Sequence, residues 1–145
     1  RTVLTVRRAG SKKPLEIAVE RQTIRVGSVR GRMLEPGYAY LRISQFQADT
    51  ANDFEKQLER LQTEAGGPGN GLRGLVLDLR SNPGGLLTSA VQIADALLER
   101  GDIVSTRGRN PLADSSFTAT PGDRMRGAPV VVLVDAGSAS ASEVL

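Results

Sequence analysis

An α/β layer fold with mostly parallel strands is the architecture this sequence predicts, and three observations predict it. From residue 38 onward, strand-like apolar runs alternate with stretches of helical periodicity. The run Leu72 to Leu79 reads as a buried strand, interrupted only by Arg73, Gly74 and Asp78, and Val130 to Val134 is wholly apolar. Glycine- and proline-rich turns separate these segments.

Residues 2–7 are rich in β-branched and apolar types. A turn at Ala9 to Pro14 follows, and Leu15 to Glu20 alternates apolar and polar residues, which predicts a β-hairpin with one buried face. The turn Glu35-Pro36-Gly37 leads into a strand over Tyr38 to Ile43. Thr50 is expected to cap a helix whose apolar stripe is Phe54, Leu58, Leu61 and Ala65, with Asp53 in the first turn. Gly66 to Gly71 ends that helix in a loop, and the buried strand Leu72 to Leu79 comes next. A tight loop, Arg80 to Gly85, connects to a second amphipathic helix over Leu86 to Glu99. Ile103 to Thr106 and Val130 to Val134 read as further strands, with an exposed loop or short hairpin over 107–128.

The 145 residues suffice for one domain, or one domain plus part of another. There is no cysteine, so disulfides and thiol chemistry are excluded, and no apolar run is long enough to cross a bilayer. Charge is uneven. Residues 1–32 carry nine Lys or Arg against two Glu, while residues 33–145 carry ten basic and fourteen acidic residues. Basic stretches of this kind occur in nucleic-acid and lipid binders. Two Tyr and three Phe give little for base stacking, so the arginines are read as the outer faces of solvated strands.

The chemistry concentrates in two segments. The first is Asp135-Ala-Gly-Ser-Ala-Ser-Ala-Ser-Glu143, where an apolar strand runs through a turn into a helix start carrying three serines. Hydrolases mount nucleophilic serines at such junctions, because the turn exposes the hydroxyl and the unpaired helix-start amides can bind an oxyanion. The second is Asp78-Leu-Arg-Ser-Asn-Pro-Gly-Gly85, whose glycines let backbone amides point into a cavity. A Pro-Gly turn that merely joins strand to helix would look the same. The chain has no histidine, so a serine here needs another base, and a neutral lysine is the best remaining type. Lys12 and Lys13 sit on the hairpin turn and Lys56 on the polar face of a helix, so none suits the role. Without His or Cys, no metal site and no cofactor are expected.

Together, the Asp78 to Gly85 segment and Gly137-Ser-Ala-Ser-Ala-Ser-Glu143 resemble the carboxyl-terminal processing peptidases, or tail-specific proteases. Arg32-Met-Leu-Glu-Pro-Gly-Tyr38 and Leu41-Arg-Ile-Ser-Gln-Phe46 are similar to the segment preceding that family's core, and the hairpin resembles the end of its PDZ domain. The resemblance implies a crotonase/Clp-protease-like α/β core, incomplete here, with residues 1–24 a PDZ remnant and 25–145 the N-terminal part of the peptidase. It implies a Ser–Lys peptidase in which Ser140 matches the nucleophile. The amides of Ala141 and of Gly84 or Gly85 match the oxyanion hole. The lysine is expected beyond Leu145, so this chain alone is expected to be inactive.

The implied partners are proteins with free C-terminal tails, an activating adaptor and further copies of the chain, with no nucleic acid. Membrane association is expected only through segments outside the sequence, and the location is the bacterial envelope or periplasm. Ser138 and Ser142 compete with Ser140. Ser138 is better placed as the helix N-cap, and Ser142 lies about 200° round the helix from Ser140. With Ser138 as cap, Glu143 should gain little from the helix dipole. A non-catalytic binding or scaffold relative with the same fold is the alternative.

Overall fold

The computed structural model describes residues 2–11, 13–20, 26–67, 71–109 and 114–145. Eight strands and three helices form in these segments. The expected boundary between residues 24 and 25 lies outside them, as do Lys12, residues 68–70 of the first loop and 110–113 of the second.

At the centre is a four-stranded sheet in the order β3 (Val29–Glu35), β4 (Tyr38–Ile43), β5 (Gly74–Asp78), β8 (Val130–Leu133). β4, β5 and β8 are parallel, as the alternating pattern predicts, because helical crossovers return the chain to the same end of the sheet. β3 is antiparallel to β4 and was not expected from the sequence. On β4, Ala39, Leu41 and Ile43 have no exposure while Tyr38, Tyr40 and Arg42 on the other face are half-buried. The helices α1 (Thr50–Glu64) and α2 (Leu87–Leu97) supply Phe54, Leu58, Leu61, Ala90 and Ile93 to the same core cluster. A Cβ on Gly31 of β3 would lie 2.7 Å from Leu41 Cδ2 and 3.0 Å from Leu61 Cδ1, so the missing side chain allows α1 to sit close against the sheet. Each fully buried Leu or Phe in this layer contributes about 1.5–3 kcal/mol relative to exposure.

Two local expectations are corrected. The residue before the first helical turn is Asp49, and Thr50 is already inside α1 and fully buried. Its hydroxyl accepts from the Gln47 amide at 2.7 Å, donates to the Gln45 carbonyl at 3.2 Å and meets the Ser28 hydroxyl at 2.6 Å. The threonine therefore ties the start of α1 to the start of β3. The N-terminal hairpin forms as β1 (Thr2–Val6) against β2 (Leu15–Val19), but neither face is buried, and Val3, Leu4, Leu15 and Ile17 are all exposed. Among the described residues its strands pair only with each other, so the alternation has no layer to pack on.

β6 (Asp102–Thr106) also leaves the expected parallel series. It pairs antiparallel with β7 (Ser115–Thr118) in a separate hairpin, within the stretch read as a loop or short hairpin. α3 (Ala141–Val144) follows β8 and packs near α2.

Candidate active site

The parallel strands point their C-terminal ends to one side, and three connections meet there: those after β4, β5 and β8. Open α/β sheets bind ligands at this end, where the loops of successive strands converge. The two segments singled out in the sequence are the second and third of these connections.

Beneath the loops lies Asp78, the last residue of β5, with no exposed surface. Its Oδ1 accepts from the Arg80 amide at 2.9 Å and from Arg80 Nε at 3.0 Å. Its Oδ2 accepts from Arg80 Nη2 at 2.8 Å, Arg42 Nη1 at 3.1 Å and the Tyr40 hydroxyl. Arg42 Nη2 also donates to the Arg80 carbonyl at 2.9 Å. The Arg80 side-chain bonds hold the Asp78 carboxyl well below the usual carboxylate range, assisted by Tyr40 and opposed by burial. What reads in the sequence as an interruption of an apolar strand is thus the anchor for the start of the Arg80–Gly85 loop.

Removing this carboxylate strands the Tyr40 hydroxyl and the inner sides of two guanidiniums. Asp78→Ala is expected to cost about 2–3 kcal/mol at pH 7, below the full penalty of a buried pair because both arginines reach solvent. The folded-state pKa is depressed, so the contribution is complete above the unfolded value near 4 and is lost as pH falls toward the folded one. The gap between wild type and Asp78→Ala should therefore narrow by about 1 kcal/mol at pH 3, in urea unfolding at the two pH values.

Asp135, just after β8, joins the two loops from the other side. Its Oδ1 accepts from the Ser81 amide at 2.7 Å and the Gly137 amide at 2.9 Å, and its Oδ2 from the Ser81 hydroxyl at 3.1 Å. These amide bonds, Ser81 first, lower its pKa. Asn82 is wholly buried between the same loops, and its carbonyl accepts from the Ala139 amide at 3.1 Å and the Ser142 hydroxyl at 3.0 Å.

The three serines separate by environment. Ser138 donates its hydroxyl to the Leu79 carbonyl at 2.8 Å and accepts from the Asp135 amide at 3.0 Å, so it braces the turn. Ser142 is buried, with its hydroxyl on Asn82. Ser140 is exposed, with φ 57° and ψ −117°, a conformation rare for a residue with a side chain. Ser140, and not Ser138, occupies the N-cap position of α3. Glu143 is correspondingly closer than the sequence suggests, because the Ser140 amide donates to its Oε2 at 2.7 Å. The sequence frame failed here because the turn extends two residues further, with Ser138 bonded back to Leu79, the residue after β5.

The glycine loop abuts this turn. A Cβ on Gly84 would lie 2.7 Å from Ser140 Cβ, 2.7 Å from the Ala139 carbonyl and 2.9 Å from the Ala141 amide. The Gly84 amide donates to Asn82 Oδ1 at 2.9 Å. No described partner takes the amide of Gly85 or that of Ala141. Of the lysines, Lys13 lies exposed on the hairpin turn and Lys56 on the outside of α1.

Gly84, Ser140 and Ala141 thus meet although 55 residues separate Gly84 from Ser140 in the sequence. A profile of the family described as Peptidase family S41 matches residues 37–145, which include both loops. The chain belongs to peptidase family S41. The carboxy-terminal-processing protease of Bartonella bacilliformis is 44% identical over 98% of this chain and 32% of its own length. The carboxyl-terminal-processing protease of Synechocystis is 38% identical, again over 98% of this chain and 32% of its own. Among solved structures, a photosystem II D1 C-terminal processing protease superposes with a TM-score of 0.65 at 27% identity, over 91% of this chain and 36% of that one. A Bacteroides fragilis structure described as a putative S41 protease shares the fold, with a TM-score of 0.68 at 20% identity. This S41 chain spans about a third of the length of these relatives.

The sequence reading missed Asn82, Asp135, Arg42 and Tyr40 as parts of this S41 site. Two local signals were present: a charged residue inside an apolar strand, and an Asp two residues before a glycine in a turn. The partners themselves lie 36 to 60 residues away, and nothing local encodes them.

Proposed function

We propose that this chain carries the nucleophile and oxyanion-binding half of a serine peptidase acting on proteins presented by their C-terminal tails. The observation that carries the reading is the contrast at the β8–α3 turn. Ser140 is exposed on a strained backbone against the glycine loop, and among the described residues the Ala141 and Gly85 amides have no partner, while the neighbouring serines are committed to main-chain carbonyls. Ser140 Oγ attacks the peptide carbonyl carbon as its proton passes to a neutral lysine amine from a part of the protein outside this sequence. The oxyanion of the tetrahedral intermediate is stabilised by the amides of Ala141 and Gly85, the Gly84 amide being engaged by Asn82. The lysine returns the proton to the departing amine, and water then hydrolyses the acyl-enzyme.

The names of the S41 relatives support tail processing as the physiological task. A crotonase/Clp-like core, a PDZ origin for the hairpin, an activating adaptor, a homo-oligomer and a place in the bacterial envelope belong to the same proposal. PDZ-type recognition adds the substrate tail as a strand and binds its carboxylate with backbone amides.

The test is covalent labelling of the whole natural protein with a fluorophosphonate, followed by peptide mass analysis. An adduct on Ser140, formed in parallel with cleavage of an unfolded protein ending in an apolar tail, is the expected result. An adduct on Ser138 or Ser142, or none on a folded and complete chain, overturns the assignment.

A further inference from the structure

One buried side chain engages an amide of the glycine loop that abuts the serine. The Asn82 carboxamide has no exposed surface and bridges two main-chain groups: Nδ2 donates to the Ile43 carbonyl at 2.9 Å, and Oδ1 accepts from the Gly84 amide at 2.9 Å. Its orientation is forced, because a carbonyl can only accept and an amide N–H can only donate. The backbone carbonyl of the same residue receives Ala139 N–H and the Ser142 hydroxyl. Asn82 therefore links the end of β4, the glycine loop and the turn carrying Ser140. From the far side, Phe46 fixes the loop through Phe46 N to the Gly84 carbonyl at 2.9 Å and Leu86 N to the Phe46 carbonyl at 2.8 Å. With the Gly84 amide turned inward to Asn82, the next amide along, that of Gly85, has no partner among the described residues.

We infer that Asn82 is a positioning residue for the peptidase reaction: its side chain captures the Gly84 amide and thereby aims the Gly85 amide at the developing oxyanion beside Ser140. The inference rests on the serine-peptidase reading above. Gly84 also touches Ser140, a Cβ there falling 2.7 Å from the serine Cβ, so a loop released from Asn82 shifts against the nucleophile as well. The carboxamide does not contact substrate. It acts through two backbone amides, and its acceptor function toward Gly84 matters more to the reaction than its donor function toward Ile43.

That asymmetry supplies the test. In the whole natural protein, kcat and KM are measured for wild type, Asn82→Ala and Asn82→Asp, with kcat expressed per serine labelled by fluorophosphonate at completion, so that misfolded molecules do not count. Asn82→Ala is expected to lower kcat by about 10²-fold, the effect of losing one oxyanion donor, with KM within about twofold. Asn82→Asp keeps an acceptor for Gly84 and should recover most of that loss. It buries a carboxylate against the Ile43 carbonyl, so its thermal midpoint should be no higher than that of Asn82→Ala.

Activity in the order Asn, Asp, Ala against stability in the order Asn, Ala, Asp is the signature of positioning. If kcat per labelled serine instead follows stability, or KM carries the loss, the inference is overturned. Two variants that both fail to fold overturn it as well, since Asn82 would then support the fold as a whole. A folded wild-type chain that neither cleaves nor labels at Ser140 overturns the peptidase reading itself, which an active wild type with indifferent Asn82 variants does not.

Discussion

Ser140→Ala, made in the whole natural protein, is expected to reduce peptide cleavage by a factor on the order of 10⁴ or more, leaving the fold intact. The hydroxyl removed is exposed but caps the start of α3, and the Ser138 and Ser142 hydroxyls brace the turn from either side of it, so the cost in stability should be that of one lost cap, about 1 kcal/mol. The neighbouring serines should behave in the opposite way. Ser142→Ala deletes a buried donor to the Asn82 carbonyl, which keeps its bond from the Ala139 amide, so stability should fall by about 1 kcal/mol with cleavage retained. Ser138→Ala leaves the Asp135 amide without its partner, while the Leu79 carbonyl keeps its bond from the Asn82 amide, and should cost somewhat more. Initial rates and thermal midpoints of the three variants separate nucleophile from scaffold. Ser140→Ala retaining cleavage while Ser142→Ala loses it would move the nucleophile two residues along and refute the assignment.

The legible parts of this S41 chain are those whose information is local and periodic. Phe54, Leu58 and Leu61 mark one face of α1, and all three are fully buried. β4 and β5 announce themselves by apolar content, and the parallel arrangement follows from the helices between strands. β3 escaped because its inward positions include Gly31, which has no side chain to register as apolar, and its first two outward positions are Arg30 and Arg32. Arg32 lies over the Tyr40 ring at 5.3 Å, a cross-strand contact that a linear reading does not reveal.

At the site, residue types were readable and their assignments were not. Which serine is exposed depends on the φ of 57° at Ser140, and that angle is imposed by bonds from Asn82, Leu79 and Asp135 around the turn. Which glycine amide is unpaired depends on one carboxamide two residues earlier. Both are tertiary outcomes. The sequence could narrow them to three serines and two glycines, and the packing of two loops selects among them.

Gly85→Ala is expected to be strongly destabilising. Gly85 has φ 138°, and a Cβ there would lie 2.1 Å from the Phe46 carbonyl oxygen, 2.9 Å from its carbonyl carbon and 3.1 Å from its nitrogen. All three are backbone atoms, so no side chain can swing aside, and the conformation itself is one that residues with a Cβ rarely adopt. Phe46 is 1% exposed and packs in the core, which prevents the segment opposite Gly85 from retreating. Relief requires the loop to peel away from Phe46, breaking the Phe46 N to Gly84 O and Leu86 N to Phe46 O bonds that hold it.

The combined strain and lost bonds put the destabilisation of Gly85→Ala at about 3–5 kcal/mol, comparable to deleting a large core side chain. Any molecules that remain folded would present a displaced glycine amide to Ser140, so cleavage per labelled serine should fall by a further factor of about 10² or more. Gly101→Ala is the matched control: its φ of 114° is similarly unfavourable, yet nothing lies within 4 Å of the added Cβ. It should therefore cost only the conformational penalty, about 1–2 kcal/mol, and leave turnover unchanged. Urea unfolding and turnover of the pair isolate the contact with Phe46 from the backbone angle, and equal losses in the two variants would show that the close approach at Gly85 contributes nothing of its own.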